Sequence, residues 1–267
     1  MSTPSSVGWA APTARPRVPR TSLVPPQHGA WAFVGLPLVL GTLVTPASWT
    51  TALLTWAAFT CYPASYFALS LVRARRGDRF RRPLATWMLA AAVPAAVLVA
   101  MRPWLLVVGL GYAGLFAVNL AFARRNHERD LVNDAVLILE VVALVPLTWL
   151  SAEPHTTVPS QVWLLTALCG LVLVGSTLHV KSLLRERRNA SYARASRAFA
   201  VASLVAGVGL AGAWGLPGGV ALVVPFILLA LRAFKRDWSG WRPGRIGLVE
   251  LACFVAVAVA AAFAVSF

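Results

Sequence analysis

Apolar runs about twenty residues long alternate with short polar stretches from about residue 30 to the end of the chain. A helix needs roughly that length to cross about 30 Å of hydrocarbon. The pattern predicts nine helices, at about 30–46, 50–72, 84–101, 104–123, 132–150, 161–180, 198–214, 217–234 and 246–266. The expected fold class is all-α: a polytopic membrane helix bundle, with residues 27–267 as a single transmembrane helical domain. Residues 1–26 carry serines, prolines and arginines without an apolar core, so they are expected to form a disordered basic tail rather than a cleavable signal peptide. Pro94, Pro146 and Pro225 fall in or near span interiors, where neighbouring helices can satisfy the carbonyls that proline frees.

Composition agrees with the pattern. Of 267 residues, 58% are hydrophobic and 12% charged, whereas soluble domains carry roughly 25% charged residues. Cys61, Cys169 and Cys253 each lie inside an apolar run, with spacing that fits no metal or redox motif, and read as small fillers. A formal charge of +15 would suggest nucleic acid in a soluble protein. Its placement instead excludes nucleic acid as the partner. With nine spans, 23 of the 24 basic residues fall on one side, in the tail and in alternate loops, and only Arg102 falls on the other. Lys and Arg are retained on the cytoplasmic side, so the N-terminus is expected inside, with anionic membrane lipids as the partners of most of these arginines.

Three polar stretches carry the candidate chemistry. Gln27 and His28 open the first span, and a histidine there can act as ligand or base. After the fourth span, Asn126, Arg129, Asp130 and Asp134 follow in close order. Asp130 and Asp134 are four residues apart, a helical spacing that would turn both carboxylates the same way and suit a hydrated Mg²⁺. On the same segment Glu140 sits about 9 Å deeper among apolar neighbours. A carboxylate at that depth costs about 2.5–3.5 kcal/mol unless paired or protonated, so it is expected to face the bundle interior. Its candidate partners are His28, Asn119, His179 and Lys181, with Glu250 as a second acid at similar depth. The third stretch closes the sixth span. On a continuing helix, Lys181, Arg185 and Arg188 share one face, with His179 on its flank. Such a face would hold an anion, the guanidinium of Arg185 gripping it in a bidentate manner.

Gln27-His28-Gly29-Ala30-Trp31 at the first span, paired with Lys181-Ser182-Leu183-Leu184-Arg185-Glu186-Arg187 after the sixth, resembles the YwiC-like family of bacterial membrane proteins from about Pro25 to Tyr192. That resemblance implies a multi-pass protein of the bacterial inner (plasma) membrane. Asn126, Asp130 and Asp134, as N-x-x-x-D-x-x-x-D, also resemble the first aspartate motif of the UbiA-type intramembrane prenyltransferases, which bind a prenyl diphosphate through Mg²⁺. Here the motif follows the fourth span rather than the second, and basic residues stand where the second motif belongs, so two-motif prenyl transfer does not carry over.

Together these readings lead to a membrane enzyme or enzyme-like binder, a UbiA-like transferase acting on a lipid or prenyl (di)phosphate among the options, with a cytoplasmic-side polar pocket for a lipid or prenyl-type ligand with a phosphate-bearing head. Gln27, Arg129, His179, Lys181, Arg185 and Arg188 would bind it, Asn126, Asp130 and Asp134 would hold Mg²⁺ if one is used, and His28 or Glu140 would move a proton. The alternatives are a proton-coupled transporter, with Glu140 as the coupling acid, and a non-catalytic subunit of a membrane complex.

Overall fold

The computed structural model describes residues 22–26, 28–74, 77–127, 130–152, 157–235 and 241–267, with His28 described in its backbone only. The tail and the Gln27 and Arg129 positions therefore lie outside the described residues, as does the His28 side chain. Among the described residues all regular structure is helical: α1 (His28–Val44), α2 (Trp49–Arg73), α3 (Asp78–Met101), α4 (Leu105–Arg124), α5 (Leu131–Val142), α6 (Leu144–Ala152), α7 (Ser160–Leu184), α8 (Ala190–Trp214), α9 (Gly218–Phe234) and α10 (Pro243–Val265).

Local chemistry sets several boundaries. Ser48 caps α2 by accepting from the Thr51 N–H, and Asn189 caps α8 by accepting from Ser191, both at 3.1 Å. The run expected as one fifth span is interrupted at Ala143, between α5 and α6. Pro146 explains the break, because it has no N–H to offer the Val142 carbonyl one turn earlier. The two pieces still form one apolar rod, Leu131–Ala152. Pro37, Pro94 and Pro225 lie within unbroken helices.

Six of these rods are long and apolar enough to cross a membrane: α3, α4, α5 with α6, α7, α8 and α10. Helices α1 and α9 are apolar but shorter, at 17 residues each, and α2 carries Ser, Thr and Tyr along its length. The chain is thus a multi-pass, all-helical membrane protein.

The core is organised around α7. Val162, Leu165, Leu168, Val172 and Leu173 are fully buried, and they pack with Leu36 and Leu40 of α1, Val145 of α6, Phe226 of α9 and Val257 of α10. Gly41 lets α1 close on α6, since a Cβ there would lie 2.7 Å from Thr148 Oγ1. Helices α3 and α4 are peripheral, exposing Val93, Val97, Val107 and Leu110.

Side-chain bonds define two ends. At one, Arg102 of the α3–α4 turn donates to the Ser151 and Ala152 carbonyls, both at 3.3 Å, and Trp214 donates to Ala264 O. The other, called the basic end below, gathers the end of α7, the start of α5, the end of α9 and the start of α10 through the ion pairs that follow.

A two-faced helix as candidate functional site

Helix α7 carries buried polar groups through its last two turns: Ser176, His179, Lys181 and Ser182. His179 and Lys181 are two residues apart, so they lie about 200° apart around the axis and serve opposite faces. The two faces meet different partners.

On the first face, Lys181 pairs its ammonium with the Asp134 carboxylate of α5. The lysine side chain is 6% exposed and the aspartate's 16%. Asp134 faces inward because α5 begins at Leu131, which turns Asp134 toward α7 in the first helical turn. Helix α7 then stops at Leu184, and Arg185 is its C-cap. Arg185, Arg187 and Arg188 are exposed in the following turn, around an open depression also lined by Glu186, Asn189 and Ala190. The expected face through Lys181, Arg185 and Arg188 is therefore formed only in part: Arg185 keeps an αR backbone and donates its N–H to the Lys181 carbonyl one turn earlier, but the helix ends there and Arg188 does not continue it. One cation is thus buried in a pair and the arginines stand at the rim.

The expected helical pair of carboxylates is also redistributed. Asp130 is the N-cap of α5 in extended conformation (φ −68°, ψ 148°), not a helical residue, and its Oδ2 lies 3.0 Å from His127 Nδ1 at the surface. Asn126 sits exposed in the turn after α4 with φ 58°. Among the described residues no three His, Cys, Asp or Glu side chains gather as a metal site. A divalent cation taken by Asp134 would compete with the Lys181 ammonium, so this donor set does not fit the hydrated Mg²⁺ its spacing suggested.

On the opposite face, Ser176 Oγ and Arg232 Nη1 both donate to Glu250 Oε2. All three residues are buried, and His179 lies within electrostatic reach of Arg232. Arg232 reads in the sequence as one more loop cation. It is instead in the last turn of α9, turned inward against α10. The available signal was Glu250 alone: an acid in the first turns of an apolar helix requires a cation, and Arg232 ends the preceding helix.

Glu140, the acid expected to face the interior, does so from α5 toward α4. Its Oε1 accepts from Asn119 Nδ2 at 2.9 Å, and its backbone carbonyl accepts from Tyr112 at 2.6 Å. Asn119 was among the partners named for it. His179 and Lys181 are engaged elsewhere, on the α9–α10 and α5 sides of α7.

The profile of the YwiC-like protein family matches residues 24–149, which run from before α1 to within α6. The uncharacterized protein YwiC of Bacillus subtilis is 28% identical over 241 residues, covering 87% of this chain and 95% of that one. These matches support membership of the YwiC-like family. An uncharacterized protein of Haemophilus influenzae is 29% identical over 178 residues, 66% of this chain and 74% of its own length. No solved structure matches. Nothing in these matches adds to the looser likeness to UbiA-type prenyltransferases.

The profile takes in Asn119, Asp134 and Glu140 but ends before Lys181, Arg232 and Glu250. The two buried ion pairs thus each need helices beyond the matched stretch. Of the cysteines, Cys169 and Cys253 are buried among apolar side chains, as fillers would be, and Cys61 is exposed.

Proposed function

We propose that this YwiC-like protein is a nine-span protein of the bacterial inner membrane, with its N-terminus in the cytoplasm and the basic end on the cytoplasmic side. There it binds an amphipathic ligand with a phosphate-bearing head at the ends of α5 and α7. The near-complete segregation of Lys and Arg supports the orientation. One observation carries the binding reading: Lys181 is buried beside Asp134, and an exposed turn with Arg185, Arg187 and Arg188 follows immediately. The ion pair fixes the end of α7 against α5, and the arginines supply uncommitted forks for phosphate oxygens. Because Asp134 is taken by a lysine, the head is bound by cations directly, and the reading stops at binding. It assigns no transfer step to His28 or Glu140.

Native mass spectrometry of the detergent-purified protein tests this, with phosphatidylglycerol and phosphatidylcholine added in equal amounts. The expected result is preferential retention of phosphatidylglycerol. Substituting Arg185→Gln, Arg187→Gln and Arg188→Gln together should lower that retention about tenfold, the loss of one or two charge-assisted hydrogen bonds. Equal retention of both lipids by the wild type would sink the reading.

A second reading, proton-coupled transport, draws support from Glu250 and Arg232, which leave Oε1 and Nε without hydrogen-bond partners in the interior. Its test is proton uptake into proteoliposomes. Uptake that survives Glu250→Gln undiminished would remove Glu250 as the coupling acid.

A further inference from the structure

Between α5 and α7 runs a groove of about 390 Å³ whose walls are almost entirely apolar. Ile138 and Val142 form one wall, and Gly170, Val174 and Leu178 the other. The positions on α7 follow helical spacing, and one further step along the same face, at i+11 from Gly170, is Lys181. Asp134 is itself a groove residue. The groove therefore has the Lys181–Asp134 pair at one end and extends away from it to Val142, about 12 Å along α5 at 1.5 Å per residue. Its floor is opened by a missing side chain: a Cβ built on Gly170 meets nothing within 4 Å.

We propose that this groove seats one hydrocarbon chain of an anionic phospholipid, with the head at the Arg185–Arg188 turn. The proposal rests on the head-binding reading above and extends it to the ligand's tail. Charge complementarity selects the occupant. The aspartate at the mouth is already neutralised by Lys181, so the three exposed arginines, set against the single carboxylate of Glu186, leave the turn net positive and favour a lipid whose head carries a net negative charge. In a bilayer a chain gains little from leaving its neighbours by hydrophobicity alone, so seating depends on packing into a formed groove and on the head being held. Both conditions coincide at this place.

The test uses the full chain in nanodiscs containing phosphatidylglycerol with a diazirine at the end of one chain, and maps photocrosslinks by peptide mass spectrometry. Peptides holding Ile138, Val142 and Val174 should be labelled several-fold more strongly than those holding the exposed Val93, Val97, Val107 and Leu110 of α3 and α4. Gly170→Phe should fill the groove and bring its labelling down to the α3–α4 level. Gly111→Phe, at a glycine on α4 that also faces open space, should change nothing at the groove. Gly170→Val is carried alongside, should the larger ring disturb the fold, and should give an intermediate loss.

Uniform labelling of all exposed faces overturns the proposal. If phosphatidylglycerol retention in native mass spectrometry persists in that case, the head-binding reading stands without the groove. A phosphatidylcholine probe that labels the groove as strongly as phosphatidylglycerol also overturns the proposal, this time through its head.

Discussion

The two faces of α7 each pack against an ion pair close to the same end of the bundle, yet the pairs are built differently. Toward α9 and α10, Arg232 and Glu250 are both enclosed, and Ser176 donates a further hydrogen bond to the carboxylate. Toward α5, Lys181 is enclosed but Asp134 is partly open, at the head of an apolar groove and beside a turn of exposed arginines. A fully enclosed pair with supporting hydrogen bonds locks helices together. A pair open on one side at a groove mouth can fix two helices and still leave room for a third participant. On the function proposed above, the α9–α10 face holds the fold and the α5 face contacts the ligand.

Breaking the enclosed pair should have the largest effect. Arg232→Leu leaves Glu250 charged and unpaired in the interior, and such a loss costs about 3–5 kcal/mol. The melting temperature in detergent should fall steeply. Adding Glu250→Leu should recover much of the loss, because the charge to be compensated is then gone. If the single variant melts like the wild type, the enclosed pair does not hold α9 to α10.

Lys181→Met should cost less, about 1–3 kcal/mol, since Asp134 keeps some access to water once its partner is removed. The same thermal melt measures it. A loss equal to that of Arg232→Leu would erase the distinction between the two faces.

Glu140→Gln separates a third, half-buried acid from both pairs. Glutamine keeps an oxygen to accept from Asn119, so stability should shift by less than about 1 kcal/mol. Asn119→Leu, by contrast, should destabilise measurably. Matching effects from the two variants would mean that the charge on Glu140, rather than its hydrogen bond, matters to the fold. The smallest effect is expected from Arg187→Gln alone, within about 0.5 kcal/mol in the melt, because it is an exposed residue in a turn.

Much of this architecture is legible in the sequence, for a definite reason. Hydrocarbon imposes a length on each apolar run, and that length is readable one residue at a time. The inward turn of Glu140 follows in the same way, from the cost of leaving a carboxylate in lipid. The details that escaped depend on where helices stop. Lys181, Arg185 and Arg188 share a face only if α7 continues past Leu184, and Asp130 faces with Asp134 only if α5 begins a turn earlier. Polar residues at a span's end are equally compatible with both arrangements. Arg232 escaped for a related reason. Its position at the end of an apolar run resembles that of every other retained cation, and only the packing of α9 against α10 turns it toward Glu250.

The central claim is that an anionic amphipathic ligand sits with its head beyond the end of α7 and its chain between α5 and α7. The most direct measurement is an electron cryomicroscopy map of the protein in phosphatidylglycerol nanodiscs, enlarged by a bound antibody fragment. The account predicts elongated density along Ile138, Val142 and Val174, ending in a head against Arg185 or Arg188. A map in which the Lys181–Asp134 pair is resolved, the groove is closed by its own side chains and ordered lipid lies elsewhere would contradict it.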